Sequence, residues 1–128
     1  MADSAGGSAP PVPSEITLDP SAGRLEVAYP GGRRFEFSAE FLRVHSPSAE
    51  VRGHGPGEGT LQQGKRAVAI TGIEPVGNYA IKLVFSDGHD TGIYSWGLLH
   101  QYGLDQDTMW ARYLQRLEAA GGSREPAR

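Results

Sequence analysis

Residues 77–96 read GNYAIKLVFSDGHDTGIYSW, and their pattern decides the fold. Tyr79, Ile81, Leu83 and Phe85 alternate with Ala80, Lys82 and Val84, the period-two signature of a strand with one apolar face. Asp87-Gly88 supplies hairpin chemistry inside a loop over 86–90, and residues 91–94 read as a strand pairing back. Ser95 is a side-chain acceptor placed to cap a short helix over 96–102, with Gly103 as its stop.

Upstream, residues 67–73 read as a further strand, with Val68 and Ile70 on one face and a phase break at Thr71-Gly72 that suggests a bulge. Glu74-Pro75-Val76-Gly77 suits a type I turn, with proline second and glycine fourth. An earlier meander precedes this one. Residues 16–18 form a short strand, and 19–23 carry turn residues. Residues 24–29 place Leu25, Val27 and Tyr29 on one face; 30–32 turn the chain, and 33–37 return with Phe35 and Phe37. Ser38 is placed to cap a helical turn over 39–44. Residues 53–64 are a glycine-rich loop with little to bury.

Downstream, Asp105 or Asp107 is the expected start of a last helix over 106–119. Its Trp110, Tyr113, Leu114 and Leu117 fall at i, i+3, i+4 and i+7, one apolar face suited to lying on a sheet. Gly121-Gly122 ends it. The expected architecture is α+β: two small antiparallel β-meanders packed with two or three short helices, a two-layer single domain over 15–120. Residues 1–14 and 121–128 read as disordered tails.

Composition narrows the function. The chain has 128 residues, a formal charge of -3 and no cysteine. That removes disulfides, thiolate ligands and a cysteine nucleophile, and the acidic balance gives no basic footprint for nucleic acid. No run of about 18 apolar residues crosses a membrane. The N-terminal MADSAGGSAPPVPSE lacks the basic and apolar regions of a secretory signal, so cytoplasm is the expected location.

Several candidate motifs dissolve on inspection. Residues 59–65, GTLQQGK, fit seven positions of a phosphate-binding loop, but Arg66 stands where Ser or Thr must hold magnesium, and a strand follows where a helix is required. Of His45, His54, His89 and His100, none forms H-x-x-x-H or H-E-x-x-H, and the H-x-D pair of non-haem iron oxygenases is absent. His89 beside Asp87 and Asp90 reads first as part of a hydrogen-bonded turn, and His100 as a helix-surface residue. Ser46, Ser48 and Ser95 lack a nucleophile elbow. Arg33-Arg34 and Lys65-Arg66 suit solvated strand edges. No catalytic constellation is complete, and the expectation is a non-enzyme.

Three segments rise above this background: residues 42–51, LRVHSPSAEV; 73–80, IEPVGNYA; and 85–96, FSDGHDTGIYSW. Together they resemble the DUF971 family, the gamma-butyrobetaine hydroxylase-like N-terminal domain, over about residues 16–117. In oxygenases this domain precedes a catalytic iron(II)/2-oxoglutarate domain, for which 128 residues leave no room. The resemblance implies a zinc module there, with ligands from a C-x-C-x-x-C run and the histidine of an Asp-Gly-His turn. Carried onto this chain, the cysteine positions fall on Ser46, Ser48 and Val51, and His89 alone survives. Similar domains fused to Mrp-type ATPases that carry iron–sulfur clusters imply an accessory role in iron–sulfur or redox metabolism.

The resulting expectation is a non-catalytic accessory module that docks on a protein, an iron–sulfur carrier or an oxygenase-related partner. The docking residues would be Arg43, Asp87, His89, Asp90, Tyr94 and Trp96. One alternative is a metal protein holding iron or zinc through His89, with His45, His54 or Asp90. Another is a separately encoded, non-catalytic subunit of an iron(II)/2-oxoglutarate oxygenase. The sequence itself requires no cofactor.

Overall fold

In a computed structural model, the structure describes residues 9–19, 21–52 and 60–126. The first meander is β1 (Glu15–Asp19), β2 (Arg24–Ala28) and β3 (Arg34–Ser38), antiparallel and in sequence order. Leu25 stands opposite Phe37 and also Leu18, while Val27 stands opposite Phe35 and Ile16. One face is therefore wholly apolar, which fixes the register, because a one-residue slip would expose every one of these side chains. On the outer face Arg24–Glu36 at 3.1 Å and Arg34–Glu26 at 3.3 Å form exposed ion pairs, worth little to stability.

The second meander is β4 (Ile70–Val76), β5 (Ala80–Phe85) and β6 (Ile93–Ser95), again in sequence order. The expected bulge is present, between Ile70 and Gly72. Two expectations are corrected here. The strand does not begin at residue 67; it begins at Ile70, because the chain from 65 to 68 turns, with Val68 N–H donating to the Lys65 carbonyl at 3.0 Å. It also runs straight through Glu74-Pro75-Val76. Pro75 lacks an N–H but lies on an edge strand, where one side of the ladder needs no donor. The turn falls at 76–79 instead, where Tyr79 N–H meets the Val76 carbonyl and Gly77 takes a φ of 53°.

Helix α1 (Ala39–Val44) starts at Ser38, whose hydroxyl accepts from Phe41 N–H at 2.9 Å. The short α2 (Ala49–Arg52) follows it. Ser95 caps α3, accepting from Leu98 N–H at 3.1 Å. Helix α3 spans Trp96–Ala119 without interruption, correcting the expected break at Gly103. That glycine is not a cap. A methyl at its Cα would overlap the ring of Phe35, so Gly103 is the point where helix and first sheet touch. Leu104, Asp105 and Asp107 are exposed on the opposite side, and Leu114 is 38% exposed, so the apolar face is carried by Leu99, Tyr102, Tyr113 and Leu117. His100 packs beside Tyr29 and Phe35 rather than facing water.

The core joins both sheets to α3: Leu25, Val27 and Phe37 meet Ile81, Leu83, Phe85 and Tyr94, with Leu99 and Tyr102 above them. The helix ends in a Schellman turn. Gly121, with φ 67°, donates to Glu118 O, and Gly122 donates to Leu117 O. The turn sends residues 121–126 back across the domain, so these are not the tail expected. Gly64 N–H donates to Ser123 O at 2.9 Å, and Arg124 makes a two-pronged ion pair with buried Glu40 at 2.7 and 2.8 Å. At the other end, Ser14 N–H extends the first sheet by donating to Ala28 O at 2.8 Å. Residues 1–8 lie outside the described residues.

Candidate functional site

Two distant segments meet at the second hairpin. The 45–48 stretch leaves α1 and turns at Pro47; the 86–92 loop joins β5 to β6. Ser46 Oγ lies 2.9 Å from His89 Nε2, and both residues are buried. Ser48 N–H donates to Ser46 Oγ at 3.3 Å, while Ser48 Oγ lies 2.8 Å from Thr91 Oγ1. Gly92 makes this approach geometrically feasible. Any side chain there would collide with Ser46 Oγ and crowd Pro47. Of the three positions that the resemblance assigns to cysteine ligands, Ser46 and Ser48 therefore do come together with His89.

Asp87 fixes the loop from the other side. Its Oδ2 accepts from Arg43 Nε at 2.9 Å and from Lys65 Nζ at 2.8 Å, while its Oδ1 accepts from His89 N–H at 3.2 Å. Arg43 also donates to Gln62 Oε1 at 3.2 Å. One carboxylate thus ties together α1, the segment before β4 and its own turn. Burial alone would raise the Asp87 pKa, but the hydrogen bonds from Lys65, His89 N–H and Arg43 prevail and hold it down to about 2. Ser86 completes the clasp. Its N–H donates to Ala69 O at 2.8 Å, and its Oγ accepts from Ala69 N–H at 2.9 Å. Lys65 accordingly belongs to this network and not to a solvated strand edge or a phosphate loop, whose Gly59 falls outside the described residues.

The other expected site residues divide. Arg43 is buried in the Asp87 network. Tyr94 is fully buried, its hydroxyl donating to Leu42 O at 2.5 Å, so it braces α1 against the sheet and offers no surface. Trp96 is half-buried and donates from Nε1 to Asn78 O at 2.8 Å. Asp90 is exposed. His45 faces a different environment, ringed by Phe41, Tyr102 and Tyr113. His54 lies outside the described residues. Val51 is buried.

These donors do not suit zinc. Two neutral hydroxyls and a valine stand where thiolates would be needed, and the imidazole Nε2 is already engaged by Ser46. Among the described residues no three His, Asp or Glu side chains cluster to hold an ion, and no helix is long and apolar enough to cross a membrane.

Sequence reasoning missed one partner of Asp87 and one of Arg43. Lys65 and Gln62 carry no local signal, because the contacts span 22 and 19 residues. It also passed over Arg112 and Arg116, although their i, i+4 spacing puts them on one side of α3.

A small α+β domain with two meanders, a capped helix and a histidine-bearing Asp-Gly turn locked to the end of α1 is the class this geometry defines. The profile of the family described as gamma-butyrobetaine hydroxylase-like, N-terminal, matches residues 16–100, and the chain belongs to that family. Two proteins with NMR solution structures are similar to it. One is 46% identical, with 94% of each chain covered and a TM-score of 0.81. The other is 47% identical over 97% of this chain and 92% of its own, with a TM-score of 0.80. A protein of unknown function from Acidithiobacillus ferrooxidans ATCC 23270, of the DUF971 family and solved by crystallography at 1.93 Å, is 35% identical over 70% of this chain and 89% of its own, with a TM-score of 0.59. No curated protein matches the sequence.

Proposed function

We propose that this chain is a non-catalytic protein-interaction module in which hydroxyl hydrogen bonds hold the histidine-bearing loop. The observation that carries the reading is the 2.9 Å bond between Ser46 and His89. It engages the ring nitrogen that a metal ion would use. With Asp87 paired to both Arg43 and Lys65, the loop is a rigid platform. Such a platform binds with little ordering cost.

Side chains suited to contact follow along the same hairpin: exposed Asp90 on the loop, Ile93 at 47% exposure opposite Lys82, and Tyr79 at 56% exposure with half-buried Trp96 at the other end of β5. Tyr79 and Trp96 are adjacent there, the backbone Trp96 N–H donating to Tyr79 O at 3.0 Å. The kind of partner, an iron–sulfur carrier or an oxygenase component, rests on family resemblance alone.

Affinity capture with crosslinking and mass spectrometry tests the reading, comparing the natural chain with Ile93→Asp and Tyr79→Ala. A partner that crosslinks beside residues 79–96 and is lost in both variants supports it. Stoichiometric metal that disappears in His89→Ala overturns it in favour of a metal protein. Turnover of 2-oxoglutarate by the chain alone overturns it in favour of an enzyme.

A further inference from the structure

A second concavity lies on the far side of Ser46, between the end of α1, residues 60–62 and the middle of α3. It is a cleft of about 250 Å³. Its walls are apolar, with Val44, Leu61 and Met109 beside the rings of Tyr102 and Tyr113. Its polar lining is His45, Ser46, Thr60, Gln62, Arg112 and Arg116. Arg112 and Arg116 line it from α3, and among the described residues no carboxylate lines it, in a chain whose net charge is -3. A pocket of this kind, apolar with convergent polar groups, is the ordinary form of a small-molecule site.

His45 also lines the cleft. Its Nδ1 lies 2.9 Å from Phe41 O. A carbonyl only accepts, so Nδ1 carries the proton and Nε2 presents a lone pair when the ring is neutral. Burial, and then the charge of Arg116, lower its pKa and favour that neutral form. The ring is held by three aromatic neighbours, and Tyr102 OH donates to its own carbonyl at 2.6 Å. The walls are fixed as well, since Tyr113 OH donates to Gln62 O at 2.7 Å. Arg112, by contrast, is exposed and forms no ion pair among the described residues.

We propose that this cleft binds a small organic carboxylic acid, its carboxylate on Arg112, its apolar body between Met109, Tyr102 and Tyr113. At about 30 Å³ for each water-sized group, the volume takes a ligand of about eight non-hydrogen atoms. That is close to the size of a branched aliphatic or simple aromatic acid. A planar guanidinium matches a carboxylate through paired hydrogen bonds. The site is independent of the docking surface, and its failure leaves that reading untouched.

The test is a titration of the full chain by ¹H–¹⁵N NMR with phenylacetate, phenylacetamide and inorganic phosphate. Saturable shifts at Tyr102, Met109, Arg112 and Tyr113 are expected with phenylacetate. The neutral amide should bind about tenfold more weakly, because it forfeits charge-assisted hydrogen bonds. Arg112→Gln should weaken the acid by a similar factor while leaving the thermal midpoint unchanged, since Arg112 is exposed. Equal binding of acid and amide, full-strength binding by Arg112→Gln, shifts outside the cleft, or no saturable shift would each overturn the assignment. Phosphate binding as tightly as the acid would overturn it too, by showing an anion site without use for the apolar walls.

Discussion

Ser46 and His89 are 43 residues apart in sequence and share a 2.9 Å hydrogen bond in the interior. The bond joins the end of α1 to the β5–β6 loop, where the family resemblance implies a bound metal in other members. A metal cross-link draws together thiolates that would otherwise repel one another. A hydroxyl–imidazole pair needs no ion, and here it is supported by Ser48, Thr91 and the bare backbone of Gly92.

Removing the Ser46 hydroxyl takes a hydrogen bond from His89 Nε2 in the interior. Ser46→Ala should therefore cost about 1–3 kcal/mol, measured by chemical denaturation. Gly92→Ala should cost at least as much, because its methyl would displace Ser46. In the Gly92→Ala variant the added effect of Ser46→Ala should shrink, since the bond is already broken. Independent, additive losses would contradict the shared cause.

Asp87 supplies a pH signature. Its carboxyl is held at about 2 against an ordinary 3.8, so the folded state favours its charged form. The stabilisation is full above pH 4 and is lost as pH falls from about 4 towards 2. Part of the side chain is open to water, which screens the pairs, and about 1 kcal/mol is a fair size for the titrating part. Asp87→Asn should abolish this component. It should also cost about 3 kcal/mol at neutral pH, because Arg43, 7% exposed, loses its counter-ion. Parallel acid-unfolding curves for the two proteins between pH 4 and 2 would contradict the assignment.

Two glycines of α3 should respond in opposite directions. Alanine is ordinarily better than glycine inside a helix by about 0.5–1 kcal/mol. At Gly97 an added methyl meets Pro10 at 3.5 Å, an ordinary contact, so Gly97→Ala should stabilise by about that amount. At Gly103 the same methyl would overlap the Phe35 ring, and Gly103→Ala should destabilise by about 1–3 kcal/mol. Thermal melts of the two variants, with Phe35→Leu added to relieve the second, check both signs.

The same glycine shows where sequence reading stopped. Period-two alternation in β2, β3 and β5 and the caps at Ser38 and Ser95 are local, and all were legible. Gly103 looked like a helix stop because the ring that requires it belongs to a strand 68 positions earlier. Pro75 looked like a turn because nothing local says that β4 is an edge. At the site, the Asp-Gly turn and its Asx bond could be read from the residues themselves. Resemblance, and not spacing, brought Ser46 and Ser48 beside His89, and the Arg43–Asp87–Lys65 network was invisible because each contact crosses the domain. Tyr94 showed its aromatic character in the sequence but not its burial.

Hydrogen bonds, with no metal, are proposed to hold the histidine loop against α1. Elemental analysis of the untagged full chain, paired with thermal unfolding in the presence and absence of a chelator, tests it most directly. The account predicts no stoichiometric zinc or iron and one unchanged melting midpoint. It also predicts that Ser46→Cys, Ser48→Cys and Val51→Cys together create zinc binding that depends on His89. One equivalent of metal in the natural chain, with a midpoint that falls when it is chelated, would contradict the claim.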